Sequence, residues 1–234
     1  MFTIRIADLN ICIHNHYSYV EQMCNGYLTS DTNIDLDIEA TPEEIKKEQQ
    51  EASISCTPDY CESICIYRQI SSHLIQYDAF LMHGACIEYD GNVYAFCAKS
   101  GTGKSTHLLL WKKLFGEKAH IINGDKPILR LRNDIFYVYG TPWCGKEGWN
   151  INTSAPLKAI CFLERGITNT IEPLPDPKVM NRLGHQILMP VHQNEMIHYL
   201  DLMDQLIRQT SCYLLHCNME EEAAKVAYEG MSKI

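Results

Sequence analysis

The residues best suited to chemistry lie together in one segment, residues 94–114, which reads YAFCAKSGTGKSTHLLLWKKL. An apolar run leads into a loop with two glycines, a lysine and two hydroxyl side chains, and an apolar segment of helical periodicity follows. From position 98 the loop matches the pattern G-x-x-x-x-G-K-[ST], except that Ala98 replaces the first glycine. This order of strand, loop and helix predicts a site for the phosphates of a nucleoside triphosphate.

The loop residues divide between phosphate binding and metal binding. Its two glycines allow a tight turn in which successive backbone N–H groups face phosphate oxygens. Lys104 supplies a compact positive charge for the β- and γ-phosphates, and the Ser105 hydroxyl is placed to coordinate Mg²⁺. The helix that begins near Thr106 points its positive dipole end at the same anion. The predicted nucleotide-binding residues are Ser100, Gly101, Thr102, Gly103, Lys104, Ser105 and Thr106.

The alternative interpretation of this segment is a glycine-serine loop that only caps a helix. That alternative does not account for a lysine followed by two hydroxyl residues at this spacing. Ala98 fits a phosphate loop if its backbone angles are ordinary, whereas a positive φ at that residue would strain the loop.

A metal bound to a triphosphate also needs an acidic residue at the end of a neighbouring strand. Asp125 follows the apolar segment HIING and stands where such an acid is expected. The alternative for Asp125 is a turn residue without chemistry, because the composition of NGDKP favours turns.

Composition excludes several classes of protein. The chain has 234 residues and a formal net charge of −9, which argues against a nucleic-acid partner because such proteins usually present a basic face. No apolar run is long enough for a membrane span, and no signal peptide is evident. Eleven cysteines, most of them inside apolar runs, suit a reducing compartment. We therefore expect a cytoplasmic protein that associates with neither nucleic acid nor membrane.

The spacing of apolar residues predicts an α/β protein with a mixed, partly antiparallel sheet and flanking helices. Residues 1–75 form a small strand-rich N-terminal segment with a helix, and residues 76–234 form a domain around the phosphate loop. Asp90-Gly91 is a strong hairpin signal, so the strand that enters the loop is the second arm of an antiparallel hairpin. The segment LKAICFLER is almost wholly apolar, which predicts a strand buried on both faces.

The segment HGACIEYDGNVYAFCAKSGTGKST closely resembles the catalytic core of the bacterial HPr kinase/phosphorylases, a family whose fold is related to ATP-dependent phosphoenolpyruvate carboxykinase. The resemblance rests on His83-Gly84, fifteen residues before the first loop position, on the hairpin and on the loop. GTPWCGKEGWN followed by PLKAICFLERG looks like a branch of small proteins related to HPr kinase. The resemblance is good over residues 79–166, loose beyond them and nearly absent over residues 1–75.

The resemblance implies ATP and Mg²⁺ as cofactors and transfer of a phosphoryl group to a hydroxyl acceptor, which is a protein serine, a peptide or a small alcohol. It implies catalytic roles for His83, Lys104 and Asp125, with Ser105 and Asp125 as metal ligands. No residue aligns clearly with the family's catalytic arginine, and Arg165, at the end of a buried strand, is the candidate for neutralising charge on the transferred phosphoryl group. Members of the family assemble as oligomers, so a homo-oligomer is an open expectation. One departure matters: the acid that the family uses as general base is Gly124 here. Its loss predicts a slow kinase, or a nucleotide-binding protein without turnover.

Several alternatives therefore stay open. A non-catalytic ATP-binding regulatory module and, less favoured, a carboxykinase-like enzyme both compete with the kinase. His83 is otherwise a core histidine, and Arg165 is otherwise an ion-pair partner of a nearby glutamate, with Lys126 and Lys146 as weaker catalytic cations. Trp143 either stacks on adenine or binds the acceptor, or it belongs to a packed turn.

Overall fold

The computed structural model describes residues 1–52, 55–190 and 193–232. It is an α/β protein with mixed sheets and flanking helices, as the sequence predicts. The helices within these ranges are α1 (Ser18–Met23), α2 (Pro42–Glu51), α3 (Pro58–His73), α4 (Lys104–Phe115), α5 (Asp176–Leu183), α6 (Met196–Gln209) and α7 (Glu222–Met231). The strands are β1 (Phe2–Ile6), β2 (Leu9–His14), β3 (Leu36–Glu39), β4 (Ala79–Leu81), β5 (Ala85–Tyr89), β6 (Asn92–Cys97), β7 (Ala119–Asn123), β8 (Ile128–Arg132), β9 (Ile135–Tyr139), β10 (Ser154–Arg165), β11 (Thr170–Pro173) and β12 (Ser211–Cys217). In these ranges no helix has both the length and the apolar character needed to cross a membrane.

The N-terminal strands form a separate three-stranded sheet in the order β1-β2-β3. β1 and β2 are antiparallel and turn at Ala7-Asp8, where both residues have positive φ, and β3 runs parallel to β2. Alternation of apolar and polar residues predicts these strands, and Leu36 and Ile38 are buried accordingly. Ile34 continues this alternation in the sequence but precedes the strand and is 40% exposed.

Helices α2 and α3 cover this small sheet. α2 begins with a capping box in which Thr41 and Glu44 satisfy each other's backbone N–H groups. α3 packs against the sheet, where its residue Ile70 is fully buried, as is Leu74 directly after the helix. Cys61 and Cys65 also face this core, so they pack as small apolar residues.

The larger sheet has the strand order β4-β8-β9-β10-β6-β5-β7, and β12 and β11 extend it from β10. The hairpin of β5 and β6 turns at Asp90-Gly91 as predicted. The apolar run before the turn of that hairpin divides at His83-Gly84 into two strands. Its first part, β4, pairs with β8, whereas β5 pairs with β6 and β7.

β10 is the central strand of the larger sheet. It is parallel to β6 and β12 along its second half and antiparallel to β9 at its start. Cys161 is fully buried, as expected for an apolar strand with neighbours on both edges. Because β6 and β10 are parallel, their carboxyl ends lie side by side, which brings the loop after Cys97 close to Arg165 at the end of β10.

Helix α4 is fixed to the hairpin by aromatic packing. Trp111 is fully buried, and its ring lies 4.9 Å from the ring of Tyr94 and 5.5 Å from that of Phe96. Both partners belong to β6, the strand that enters the loop. The strand before the loop and the helix after it are therefore held by one cluster, which fixes where the helix begins.

Candidate functional site

The loop between β6 and α4 has the backbone that a phosphate site requires. Gly101 has φ 76° and Gly103 has φ 128°, values that residues with a Cβ atom rarely adopt. A Cβ atom added at either glycine would meet nothing within 4 Å, so conformation rather than space demands glycine there. Ala98 is not among the described residues with positive φ, so the strain considered for it does not arise.

Lys104, the first residue of α4, turns back across the loop. Its Nζ donates to the carbonyl oxygen of Ala98 at 3.1 Å and lies 3.3 Å from Nε2 of His83. Burial lowers the pKa of Lys104, and the negative charge of Asp125 opposes that change. The ammonium group is thus held at the loop beside a carbonyl oxygen and an imidazole ring, an arrangement that suits an incoming anion.

His83 and Asp125 meet beside the lysine, as the sequence predicts for residues of one site. Nε2 of His83 lies 3.3 Å from Oδ1 of Asp125, and Nζ of Lys126 lies 2.9 Å from Oδ2. Burial raises the pKa of Asp125, but the hydrogen bond from His83 and the charge of Lys126 outweigh it and hold that pKa at about 2. Asp125 is therefore a carboxylate at neutral pH, as a ligand for a hard cation must be.

A buried asparagine that the sequence analysis did not single out positions Asp125. The side-chain oxygen of Asn123 accepts hydrogen bonds from the backbone N–H groups of Asp125 at 2.8 Å and Lys126 at 2.7 Å. Its Nδ2 donates to the carbonyl oxygen of Thr141 at 2.9 Å. Asparagine two residues before the acid, in NGD, is the usual signal of such a side-chain-to-backbone turn.

The position of the missing acid is filled by backbone from another segment. A Cβ atom placed on Gly124 would lie 2.7 Å from the carbonyl oxygen of Cys144, closer than packed atoms approach. The Gly124 N–H donates to the carbonyl oxygen of Trp149 at 2.9 Å. Gly145 also lies close to the turn, since a Cβ atom there would lie 3.3 Å from Cβ of Asp125. Residues 144–149 therefore close over the turn that carries Asp125.

Arg165 reaches the loop from the end of β10. Its Nη2 donates to the carbonyl oxygen of Gly101 at 2.7 Å. The alternative, an ion pair with Glu164 or Glu172, is not formed among the described residues, and Glu164 is paired with Arg182 at 2.5 Å. Arg165, which the sequence analysis proposed as a site residue, thus lies beside the loop between β6 and α4.

Two cavities flank the loop, with volumes of about 380 and 470 Å³. Thr102, Leu163 and Arg165 line both cavities and so lie at their boundary. The smaller cavity continues past the start of α4, where its other walls include Thr106, His107, Leu110, Asn218 and Met219. The larger cavity lies toward Ala98, Glu164, Arg182, His185 and Gln186. Each cavity has the size of a small-molecule site.

His107 is a second functional candidate that the sequence analysis missed. It lines the smaller cavity, is 2% exposed, and accepts a hydrogen bond from Nε1 of Trp111 at 3.1 Å through its Nε2. Burial lowers the pKa of His107 to about 3, so the ring is neutral and its proton lies on Nδ1. Within the described ranges Nδ1 has no hydrogen-bond partner. Leaving a buried donor without an acceptor costs free energy. Nδ1 of His107 is therefore a polar group in the wall of this cavity that a bound ligand could pair with.

Trp143 is not available for stacking on a base. It is 7% exposed, its Nε1 donates to the carbonyl oxygen of Ser63 at 3.1 Å, and its ring packs against Tyr67. The packed-turn alternative is therefore the one the structure shows. Lys146 is exposed, whereas Lys126 contacts Asp125 directly.

The HPr(Ser) kinase/phosphatase from Coxiella burnetii is similar in structure, with 12% sequence identity and a TM-score of 0.32, over 55% of this chain and 98% of that chain. A TM-score this low carries no argument about fold or reaction. No curated protein matches the chain. The family model described as SynChlorMet cassette protein ScmC matches residues 60–220, more than half of the chain, including the loop and the residues around it. The chain therefore belongs to the ScmC family of SynChlorMet cassette proteins.

Proposed function

We propose that this protein binds ATP with Mg²⁺ and transfers the γ-phosphoryl group to a hydroxyl acceptor. One observation carries the proposal: Nε2 of His83 lies 3.3 Å from both Nζ of Lys104 and Oδ1 of Asp125, at the N-terminus of a helix preceded by a glycine-rich loop. A cation, an imidazole and an ionised carboxylate around an anion site are the parts that phosphoryl transfer uses. The sequence resemblance to the HPr kinase-related phosphate-loop proteins supports the same reaction.

The arrangement suggests one orientation for the nucleotide. Lys104 would bind the β- and γ-phosphates. Because His83 and Asp125 lie beside Lys104, the terminal phosphate would face these two residues. The smaller cavity extends from the loop residues Gly101 and Thr102 along α4 to His107, is not lined by His83, and would receive the nucleoside. His107 then offers its Nδ1 proton to an acceptor atom of that nucleoside.

Asp125 and Ser105 are the residues that would hold Mg²⁺. The carboxylate of Asp125 is ionised, and the half-buried Ser105 begins the same helix as Lys104, so an oxygen donor set suited to Mg²⁺ is present. The ion would supply neutralisation of phosphate charge. Asn123 holds the Asp125 turn in place for this role.

In the proposed reaction the acceptor oxygen forms a bond to the γ-phosphorus, the bond to the β,γ-bridging oxygen breaks, and the acceptor hydroxyl loses its proton. His83 is the base that remains, because Gly124 carries no acid. When Lys104 engages phosphate and Asp125 engages the metal, Nε2 of His83 is left free to accept that proton. Such general-base help is worth about 10²- to 10⁴-fold. Arg165 exchanges its bond to Gly101 for the transferred group and neutralises its charge.

A second candidate is an ATP-binding regulatory module without turnover. The contact between Gly124 and the carbonyl of Cys144 favours it, since the place of a general base is occupied by backbone. This candidate requires nucleotide binding, but neither release of phosphate nor a phosphorylated acceptor.

Isothermal titration with ATP and Mg²⁺ tests the binding shared by both candidates. We expect binding by the wild type and its loss in Lys104→Ala, whereas Lys113→Ala on the same helix, with its side chain 71% exposed, should bind normally. Failure of the wild type to bind would reject both candidates.

Transfer of label from γ-³²P-ATP to components of a lysate of the source organism then separates the two candidates. A labelled acceptor that disappears with Asp125→Asn supports the kinase. Tight binding without label or ADP formation supports the module.

A further inference from the structure

We propose that the outer face of the N-terminal sheet carries a metal site in which Cys12, His14 and Asp37 bind one Zn²⁺ ion. This site lies apart from the phosphate loop and does not depend on the proposed function. The ligand atoms of the three side chains all lie within 4.8 Å of one another.

Strand register brings the three side chains together. Cys12 of β2 lies directly opposite Asp37 of the parallel strand β3. Alternation along β2 puts His14 on the same face as Cys12, while Ile11 and Ile13 point into the core. The three ligands are thus fixed by backbone pairing in two strands of one sheet rather than by a loose surface loop.

The distances suit a tetrahedral zinc ion. Sγ of Cys12 lies 3.8 Å from Nε2 of His14. Zinc bonds of about 2.3 Å to sulfur and about 2.0 Å to nitrogen set those two atoms about 3.5 Å apart. Nε2 of His14 and Oδ1 of Asp37 are 2.6 Å apart and would separate to about 3.3 Å around the ion. A change of this size is within reach of rotation about the exposed Asp37 side chain.

The geometry favours a metal over a catalytic triad. In a Cys-His-Asp triad the two ring nitrogens have different partners, one facing the nucleophile and the other the carboxylate. Here the single atom Nε2 of His14 faces both Sγ of Cys12 and Oδ1 of Asp37. One nitrogen cannot serve both partners with one proton, whereas a cation between the three atoms satisfies all of them.

The donor set points to zinc among the common cations. One sulfur, one imidazole nitrogen and one carboxylate oxygen form a borderline set, unlike the all-oxygen sets of Mg²⁺ and Ca²⁺. The side chains of His14 and Asp37 are 39% and 69% exposed, so an ion can enter from solvent. Three protein ligands leave a fourth position for water or a further ligand.

Titration of the full-length protein with Co²⁺, which reports tetrahedral sites by colour, tests the site without ATP. We expect one equivalent to give a near-ultraviolet thiolate-to-cobalt band and visible bands of tetrahedral intensity, both abolished by Zn²⁺. Cys12→Ser should lose the thiolate band. Asp37→Asn, a change at an exposed position, should weaken binding by at least about 10-fold.

Cys56→Ser is the matched control, a second partly buried cysteine of the N-terminal segment, and should keep the band. Lys104→Ala should keep it as well, which separates this site from the phosphate loop. Absence of a thiolate band in the wild type would overturn the proposal. Its persistence in Cys12→Ser, or unchanged affinity in a folded Asp37→Asn protein, would do the same.

Discussion

The carbonyl oxygen of Cys144 lies 2.7 Å from the point where a Cβ atom of Gly124 would stand. In the sequence, Gly124 shows only that the acid expected at this position is missing. In the structure, the backbone of Cys144 lies in the space that the acidic side chain would occupy. Restoring a side chain at this position therefore means displacing the segment that also covers Asp125.

We expect Gly124→Ala to destabilise the fold by about 1–3 kcal/mol, because a methyl group there overpacks rigid backbone. Urea unfolding measures the change. Gly26→Ala is the control, since a Cβ atom at Gly26 meets nothing within 4 Å, and its effect should stay within about 0.5 kcal/mol. Equal stabilities for wild type and Gly124→Ala would show that residues 144–149 yield easily.

The asparagine that organises the Asp125 turn gives a second prediction. Asn123→Ala removes the acceptor for the N–H groups of Asp125 and Lys126 in a fully buried position. Buried donors left without partners cost about 1–3 kcal/mol, and we expect a loss of unfolding free energy in that range.

The same variant should weaken ATP binding in the presence of Mg²⁺ more than in its absence, because Asp125 is no longer held in place. Titration with and without Mg²⁺ gives the comparison. Asn152→Ala, at an exposed position, serves as the control. A uniform loss under both conditions would argue that Asn123 supports the fold only.

At this site the sequence predicts the backbone features that depend on a few adjacent residues. A left-handed backbone at Gly101 and Gly103, and the tight turn at Asp90-Gly91, are properties of a few adjacent residues. The chemistry of Lys104 is also set by its neighbours in the chain. Such features are visible in a single sequence because nothing distant decides them.

What the sequence could not show depends on distant contacts. The run AFLMHGACIEY is largely apolar on both sides of His83-Gly84, and only pairing of its first part with β8 reveals that it is two strands. Arg165 meets Gly101 across 64 residues. Trp143 was open to two interpretations because its burial against Ser63 depends on a helix 80 residues earlier.

Protonation of His107 predicts how stability changes with pH. Above about pH 6.5 the ring is neutral in the folded and unfolded states, so this residue adds no pH dependence. As pH falls from about 6.5 towards 3, the unfolded chain binds a proton that the buried ring cannot accept, because burial lowers the pKa of His107 to about 3. Stability therefore falls with pH in this window, by about 1.5–2 kcal/mol between pH 6.5 and pH 5.

His107→Gln tests this linkage, since glutamine keeps an acceptor for Trp111 but does not titrate. In urea unfolding, the unfolding free energy of the wild type should fall relative to that of the variant by about 1.5–2 kcal/mol between pH 6.5 and pH 5. His120→Gln is the control, because His120 is exposed, and should leave the slope unchanged. Parallel curves for wild type and His107→Gln would contradict a depressed pKa at His107.

Variants of Arg165 distinguish two roles of its side chain, which are holding the loop and neutralising charge on the transferred group. If it neutralises charge that develops during transfer, Arg165→Ala should lower kcat by about 10²- to 10³-fold with little change in ATP affinity. Arg165→Lys should recover only part of the rate, because a lysine cannot reproduce the forked donor geometry. Arg208→Ala, on an exposed face of α6, controls for loss of positive charge. If ATP affinity falls as much as the rate does, the bond from Arg165 to Gly101 serves to shape the loop for binding, and the charge needed for transfer must come from Lys104 and the metal.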